Sequence, residues 1–240
     1  MMTNKLNQII KKYSYPSING VYLRPGLYSN NDTNPNIFLV GYNPATPIHI
    51  DDLKQSAYQN LILSHKNFIS YYEALRVKKG KRKQSPTRKR INDLVTKVFT
   101  ETNEVIFETN IFSYPTSKEK ELRALPKDVI EEVKQPFIEM LHTIQPSIIV
   151  VHGKRAFINL ISILQNLNFL SKDFIFQKQH TFEFLYPNSN KTCTIIPYRH
   201  LSRIENQSYQ QFQKCLIHEI NSKKIKPDSF SSYQVLFFIT

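Results

Sequence analysis

Four short apolar runs set the strongest constraint on this chain: IFLV (37–40), VIFET (105–109), SIIVV (147–151) and CTIIP (193–197). Each has the length and β-branched content of a buried strand, and stretches of helical period lie between them. After the first run, Leu53, Ala57, Leu61, Phe68 and Leu75 recur at helical spacing behind an acidic start, Asp51-Asp52. Before the third, Val129, Val133, Phe137 and Leu141 recur every four residues. After it, Phe157, Leu160, Ile161 and Leu164 form an i, i+3, i+4, i+7 stripe just beyond Gly153, which reads as strand, glycine turn and helix. Residues 180–196 read as a hairpin and 206–220 as a final helix. This alternation predicts an α/β fold, a three-layer α/β/α sandwich around a mainly parallel four-stranded sheet. The expected organisation is a single domain over 1–240, with a basic loop at 76–90 and an accessory C-terminal segment at 222–240 that ends in SSYQVLFFIT.

In such sheets ligands bind outside the carboxyl ends of the strands. The residues just past the four runs are Gly41-Tyr42-Asn43-Pro44, Asn110, His152-Gly153-Lys154 and Tyr198-Arg199-His200. Two amides, a small turn and an imidazole are thereby expected at one pocket. Taken singly, each has a structural explanation: Asn and Pro are common turn residues, and a lone His is more often structural than catalytic.

Charge indicates the partner. The 32 Lys and Arg against 19 Asp and Glu leave +13, and RVKKGKRKQSPTRKR (76–90) holds nine basic residues and no acidic one. Such a balance favours nucleic acid. Cys193 and Cys215 are too few for a four-thiolate zinc or iron–sulfur site and show no CxxC spacing, so neither metal nor cofactor is expected. No segment has the run of apolar residues that a signal peptide or membrane span needs. The expectation is a cytoplasmic monomer that binds DNA and no membrane.

GYNPAT (41–46), TNIFSYPTS (109–117), PSIIVVHGKRA (146–156) and IPYRHLSR (196–203) occur in the order, and at the strand ends, of motifs in the uracil-DNA glycosylase superfamily. GYNPAT resembles its first catalytic motif and is closest to the Gly-x-Asn-Pro form of the mismatch-specific thymine/uracil branch. RHLSR resembles the second motif, with Leu201 where proline is usual; Asn110 is similar to the strand-end amide that reads the base.

The resemblance implies a DNA glycosylase that flips out a pyrimidine and hydrolyses its N-glycosidic bond, in repair or in defence against phage. Asn43 and His200 would be catalytic: the amide holds the attacking water, and the imidazole donates a hydrogen bond to the departing base. Gly41, Tyr42, Pro44, Ala45, Asn110 and Tyr58 would bind the base, with Tyr42 and Tyr58 the stacking candidates. Ala45, where the uracil-specific branch has tyrosine, leaves the C5 side open to uracil or a 5-substituted pyrimidine, either mismatched thymine or hypermodified phage cytosine. Lys154, Arg199, Ser202, Arg203, Lys79, Lys81, Arg82, Lys83, Arg88 and Arg90 would contact DNA, double-stranded with a flipped base or single-stranded. Arg203 is the expected wedge and Ile204 its apolar alternative. Two rivals are a noncatalytic DNA-binding module on the same fold and a nucleotide-binding α/β enzyme; the chain lacks GxGxxG and a Walker lysine loop.

Overall fold

A computed structural model describes residues 5–28, 35–174 and 181–225. All four apolar runs are strands: β2 (Ile37–Gly41), β3 (Ile106–Asn110), β4 (Ile148–His152) and β6 (Thr192–Tyr198). The α/β class holds, but the four-stranded parallel sheet does not. Two further strands, β1 (Gly26–Tyr28) and β5 (Phe182–Leu185), extend a mixed six-stranded sheet of order β1-β3-β2-β4-β6-β5 among the described residues. β4 and β6 pair in parallel, from Ile148 opposite Thr194 to His152 opposite Tyr198. Both edges are antiparallel: β1 on β3 and β5 on β6. The β5–β6 pair is the expected hairpin.

β1 escapes a sequence reading because it has only three residues, Gly-Leu-Tyr, too few for a period. Its glycine is required by space. Gly26 pairs with Thr109, and a Cβ there would meet the Phe107 ring and come within 2.8 Å of the Glu108 carbonyl oxygen.

The helices are more broken than their apolar periods imply. After α1 (Lys5–Lys12), the stretch 51–75 yields α2 (Gln55–Ile62) and α3 (His65–Lys78), separated at Leu63-Ser64. The acidic start does not open a helix: the Asp52 carboxylate accepts the His49 N–H at 3.0 Å and closes a turn before α2. The expected basic loop shrinks to 79–85, because α3 runs to Lys78 and α4 (Pro86–Thr102) begins at Pro86. Ser85 caps α4, its hydroxyl accepting the Arg88 N–H at 3.1 Å, with proline in the first turn as helix starts favour.

Beyond α5 (Glu119–Arg123), the Val129–Leu141 stretch divides into α6 (Lys127–Glu132) and α7 (Gln135–Ile144). At the break, the Val133 carbonyl accepts both the backbone N–H and the hydroxyl of Ser113, at 2.8 and 2.9 Å. The remaining helices are α8 (Lys154–Asn166) and α9 (Asn206–Ile225). Residues 226–240, including SSYQVLFFIT, lie outside the described residues. No described helix is long and apolar enough to cross a membrane.

The chain divides into two compact units, one of 1–35, 39–84 and 107–144, the other of 36–38, 85–106 and 145–240. The first unit's interior includes Leu39, Val40, Phe68, Phe107, Phe137 and Leu141; the second's includes Leu94, Val98, Ile149, Leu160, Ile195 and Phe212. Replacing Gly26 with alanine should lower unfolding free energy by about 1–3 kcal/mol through overpacking at the β1–β3 edge. Urea melts of the two proteins measure this, and an unchanged midpoint would refute the steric account of β1.

Candidate functional site

In the first unit, the turn after β2 is tied to the segment after β3 by three backbone hydrogen bonds. Ile111 N–H donates to the Gly41 carbonyl, Phe112 N–H to that of Tyr42 and Thr116 N–H to that of Pro44, each at 3.0 Å. These bonds fasten the turn that carries Asn43 to the segment that follows Asn110, the last residue of β3. Both residues are half-buried.

The Asn43 amide is oriented by its surroundings. Its Nδ2 donates to Thr116 Oγ1 at 2.8 Å and to the Pro44 carbonyl at 3.1 Å, and the Tyr114 carbonyl lies at 3.5 Å. Carbonyl oxygens only accept, so the nitrogen must face them. Oδ1 is turned the other way and accepts no hydrogen bond among the described residues. A fixed amide oxygen can hold a water or a hydroxyl, although it cannot take a proton as a carboxylate would.

Arg24, which the sequence does not single out, lies behind this turn. It is only 5% exposed, and it donates from Nη1 to the Ala45 carbonyl at 3.2 Å and from Nη2 to the Thr46 carbonyl at 3.0 Å. The Phe68 and Tyr72 rings each lie 4.9 Å from its guanidinium carbon. Tyr72 also donates its hydroxyl to the Ala45 carbonyl at 2.9 Å. Thr46 is held at φ 60°, a left-handed conformation that costs a β-branched residue about 1–3 kcal/mol. Arg76 adds a donor to Thr46 Oγ1 at 3.4 Å. The Ala45 side chain itself is exposed.

The two stacking candidates separate. Tyr58 is corrected to a core residue: it is fully buried, stacked on Tyr22 at 4.3 Å, with its hydroxyl donating to the Leu23 carbonyl. Tyr42 is half-buried, edge-on to Phe112 at 5.0 Å.

In the second unit, β4 ends at His152 and Gly153 turns the chain into α8 with φ 98°, its N–H donating to the Tyr198 carbonyl at 2.8 Å. A Cβ on Gly153 would touch the His200 ring at 3.5 Å. The His152 and His200 rings stand edge to face, 5.4 Å apart. His200 caps the 3₁₀ turn Leu201–Arg203: the Ser202 N–H points at its Nδ1 at 3.4 Å, and Ser202 Oγ lies 2.8 Å from the same atom. A backbone N–H only donates, so Nδ1 is the acceptor and the neutral ring carries its proton on Nε2. Although His200 is exposed as a residue, partial desolvation of its ring first, and then the charge of Arg203, hold its pKa below the ordinary value.

Leu201, where the resemblance expects proline, is fully buried and anchors the turn from below. Its carbonyl accepts from Arg90 Nη1 at 2.8 Å, while Arg90 Nη2 donates to Asn206 Oδ1 at 3.2 Å and the guanidinium lies over Tyr209. Arg90, half-buried, thus supports this turn, a role that its expected DNA contact did not include. Ile204, the apolar wedge candidate, is buried as well, whereas Arg199, Ser202, Arg203 and Lys154 are exposed.

In the basic stretch, Lys79 donates to the Pro47 carbonyl and pairs with Asp52, and Lys83 pairs with Glu73. Lys81 and Arg82 are exposed, and Arg88 is half-buried near the start of α4. Besides Arg24, sequence reasoning passed over Tyr72 and Thr116, and it gave His152 a strand-end position but no role. Thr116 lies within TNIFSYPTS (109–117), and its hydroxyl was the available signal.

No protein-family model and no curated protein matches the chain.

Nitrogen-detected NMR titration should give His200 an Nε2–H tautomer at pH 7 and a midpoint below about 6.5. Since the unfolded chain takes up this proton more readily, the histidine's contribution to stability is present above pH ~6.5 and is lost as pH falls through the lower folded midpoint. Arg203→Gln should raise that midpoint without carrying it past the ordinary value, because burial is the larger cause. A wild-type midpoint above 6.5 would contradict this.

Proposed function

We propose that the chain is a DNA glycosylase of the uracil-DNA glycosylase type, which flips a pyrimidine out of DNA and hydrolyses its N-glycosidic bond to leave an abasic site. The observation that carries the reading is the locked amide of Asn43, whose nitrogen is fully engaged and whose oxygen is presented in a fixed direction.

Base loss from deoxyribose develops positive charge on the sugar and negative charge on the departing base. The attacking water needs positioning more than deprotonation, a task that suits an amide oxygen. Asn43 Oδ1 accepts a hydrogen bond from this water and directs its lone pair toward the anomeric carbon. Pro44 stiffens the turn by restricting both its own φ and the residue before it. His200, with its proton on Nε2, donates to the oxygen on which the base's negative charge gathers. A neutral donor does this without surrendering a proton, and removing one such donor from a preorganised site costs about 10²–10³ in rate.

Asn110 offers both a donor and an acceptor to the polar edge of a pyrimidine, and Tyr42 is the aromatic proposed to stack on it. The exposed methyl of Ala45 is compatible with a substituent at C5, which favours mismatched thymine or a hypermodified cytosine as well as uracil. Lys81, Arg82, Arg199, Arg203 and Lys154 are exposed cations suited to phosphates, so binding should weaken steeply with salt. Arg203 is the proposed wedge. A cytoplasmic monomer acting in repair or phage defence completes the proposal.

The test is base release from DNAs carrying uracil, G·T mismatches, 5-hydroxymethylcytosine or its glucosylated form, with alkali cleavage revealing abasic sites. Release from at least one substrate is expected, falling about 10²–10³-fold in Asn43→Ala and in His200→Ala while DNA binding persists. Salt-sensitive binding with no release from any substrate would overturn the reading in favour of a noncatalytic DNA-binding module.

A further inference from the structure

We propose that Arg24 is a positioning residue for the Asn43 turn: its guanidinium fork holds the Ala45 and Thr46 carbonyls inward and so fixes the direction of the Asn43 amide oxygen. The role of that oxygen in base release rests on the function proposed above; the clamp itself does not.

Arg24 carries its charge in an unusual place. Arg24 is nearly buried, and no carboxylate among the described residues pairs with it. A buried cation is costly unless acceptors meet it, and in Arg24 both terminal nitrogens are met while Nε has no partner. Here the acceptors are two consecutive backbone carbonyls, at 3.2 and 3.0 Å, and the rings of Phe68 and Tyr72 cover the guanidinium. Neighbouring carbonyl dipoles directed at one point repel each other unless a positive charge sits there. The fork provides that charge and matches the spacing of the two oxygens, a geometry that a lysine ammonium cannot reproduce.

The effect reaches Asn43 through three residues. With the carbonyls of 45 and 46 turned inward, the chain passes through Thr46 in a left-handed conformation that would relax if the clamp were removed. Pro44, one residue before the clamp, has its carbonyl fixed between Asn43 Nδ2 and the Thr116 N–H. Rotation of the 44–46 backbone would therefore disturb two partners of the Asn43 amide together. Tyr72 reinforces the same carbonyl at Ala45 from the α3 side. Arg24 is itself held in place, since its N–H donates to the Ser113 carbonyl at 2.7 Å and Ser113 is fastened to Val133.

Hydrogen exchange and single-turnover base release, measured on wild type, Arg24→Gln and Arg24→Lys, test the proposal. In the glutamine variant, deuterium uptake should rise in peptides covering 42–48 but not in those covering α8 or β6. The release rate should fall about 10²-fold, the scale expected from a misplacement of about 1 Å, with DNA affinity changed less than about threefold. The lysine variant should recover only part of both losses. A folded Arg24→Gln protein with wild-type exchange and rate would overturn the proposal. Should the glutamine variant fail to fold, Arg24→Lys decides: intermediate exchange and rate support the fork, and wild-type values overturn it. If the wild type releases no base from any DNA, the glycosylase reading fails separately. The clamp then stands or falls on exchange alone, supported by a rise confined to 42–48 and overturned by no change.

Discussion

A positive charge withdrawn from water organises the first unit. The fold meets the two terminal nitrogens of Arg24 with backbone carbonyls and its faces with aromatic rings in place of a carboxylate, and leaves only Nε without a partner. Hydrogen bonds to a charged group are worth about 1.5–3 kcal/mol each, and each ring face adds about 0.5–2 kcal/mol. These gains are large enough to offset the strain at Thr46. A carboxylate would have satisfied the arginine locally and left the turn free. Carbonyl acceptors make the conformation of the turn the condition for burying the charge.

The same device recurs in the second unit. Arg90 lies behind the 3₁₀ turn that follows β6, holds the Leu201 carbonyl and the Asn206 side chain, and rests on Tyr209. The buried Leu201 side chain anchors that turn in the interior. In both turns the backbone is fixed from behind by an arginine, and a polar side chain is given one orientation by local partners: Thr116 for Asn43, Ser202 for His200. Each turn thus presents a single defined hydrogen-bonding atom, an acceptor on Asn43 and a donor on His200.

Much of this was legible from the residues. The four apolar runs gave the central strands because a buried strand needs a continuous apolar segment, and Gly153 marked its turn because a left-handed φ favours glycine. The strand-end positions of Asn43, Asn110 and His200 followed from the same reading. The edge strand β1 was not legible, since three residues carry no period, nor were the helix breaks at Leu63-Ser64 and Val133-Lys134, which apolar spacing passes over. Arg24 was hidden for another reason. In Leu23-Arg24-Pro25-Gly26 it looks like a loop cation, and its burial depends on Phe68 and Tyr72, more than forty positions away. Tyr58 erred in the opposite direction: an aromatic near a motif is more often core, and here it is.

Asn43 is proposed to act through an oxygen whose direction is set by what its nitrogen touches. Thr116 tests this without altering Asn43, because Thr116→Ser keeps the acceptor at 2.8 Å and Thr116→Val removes it. Single-turnover base release should be close to wild type in the serine variant and about 5–10-fold slower in the valine variant, the worth of one neutral hydrogen bond. Equal rates in wild type, serine and valine proteins would contradict the account.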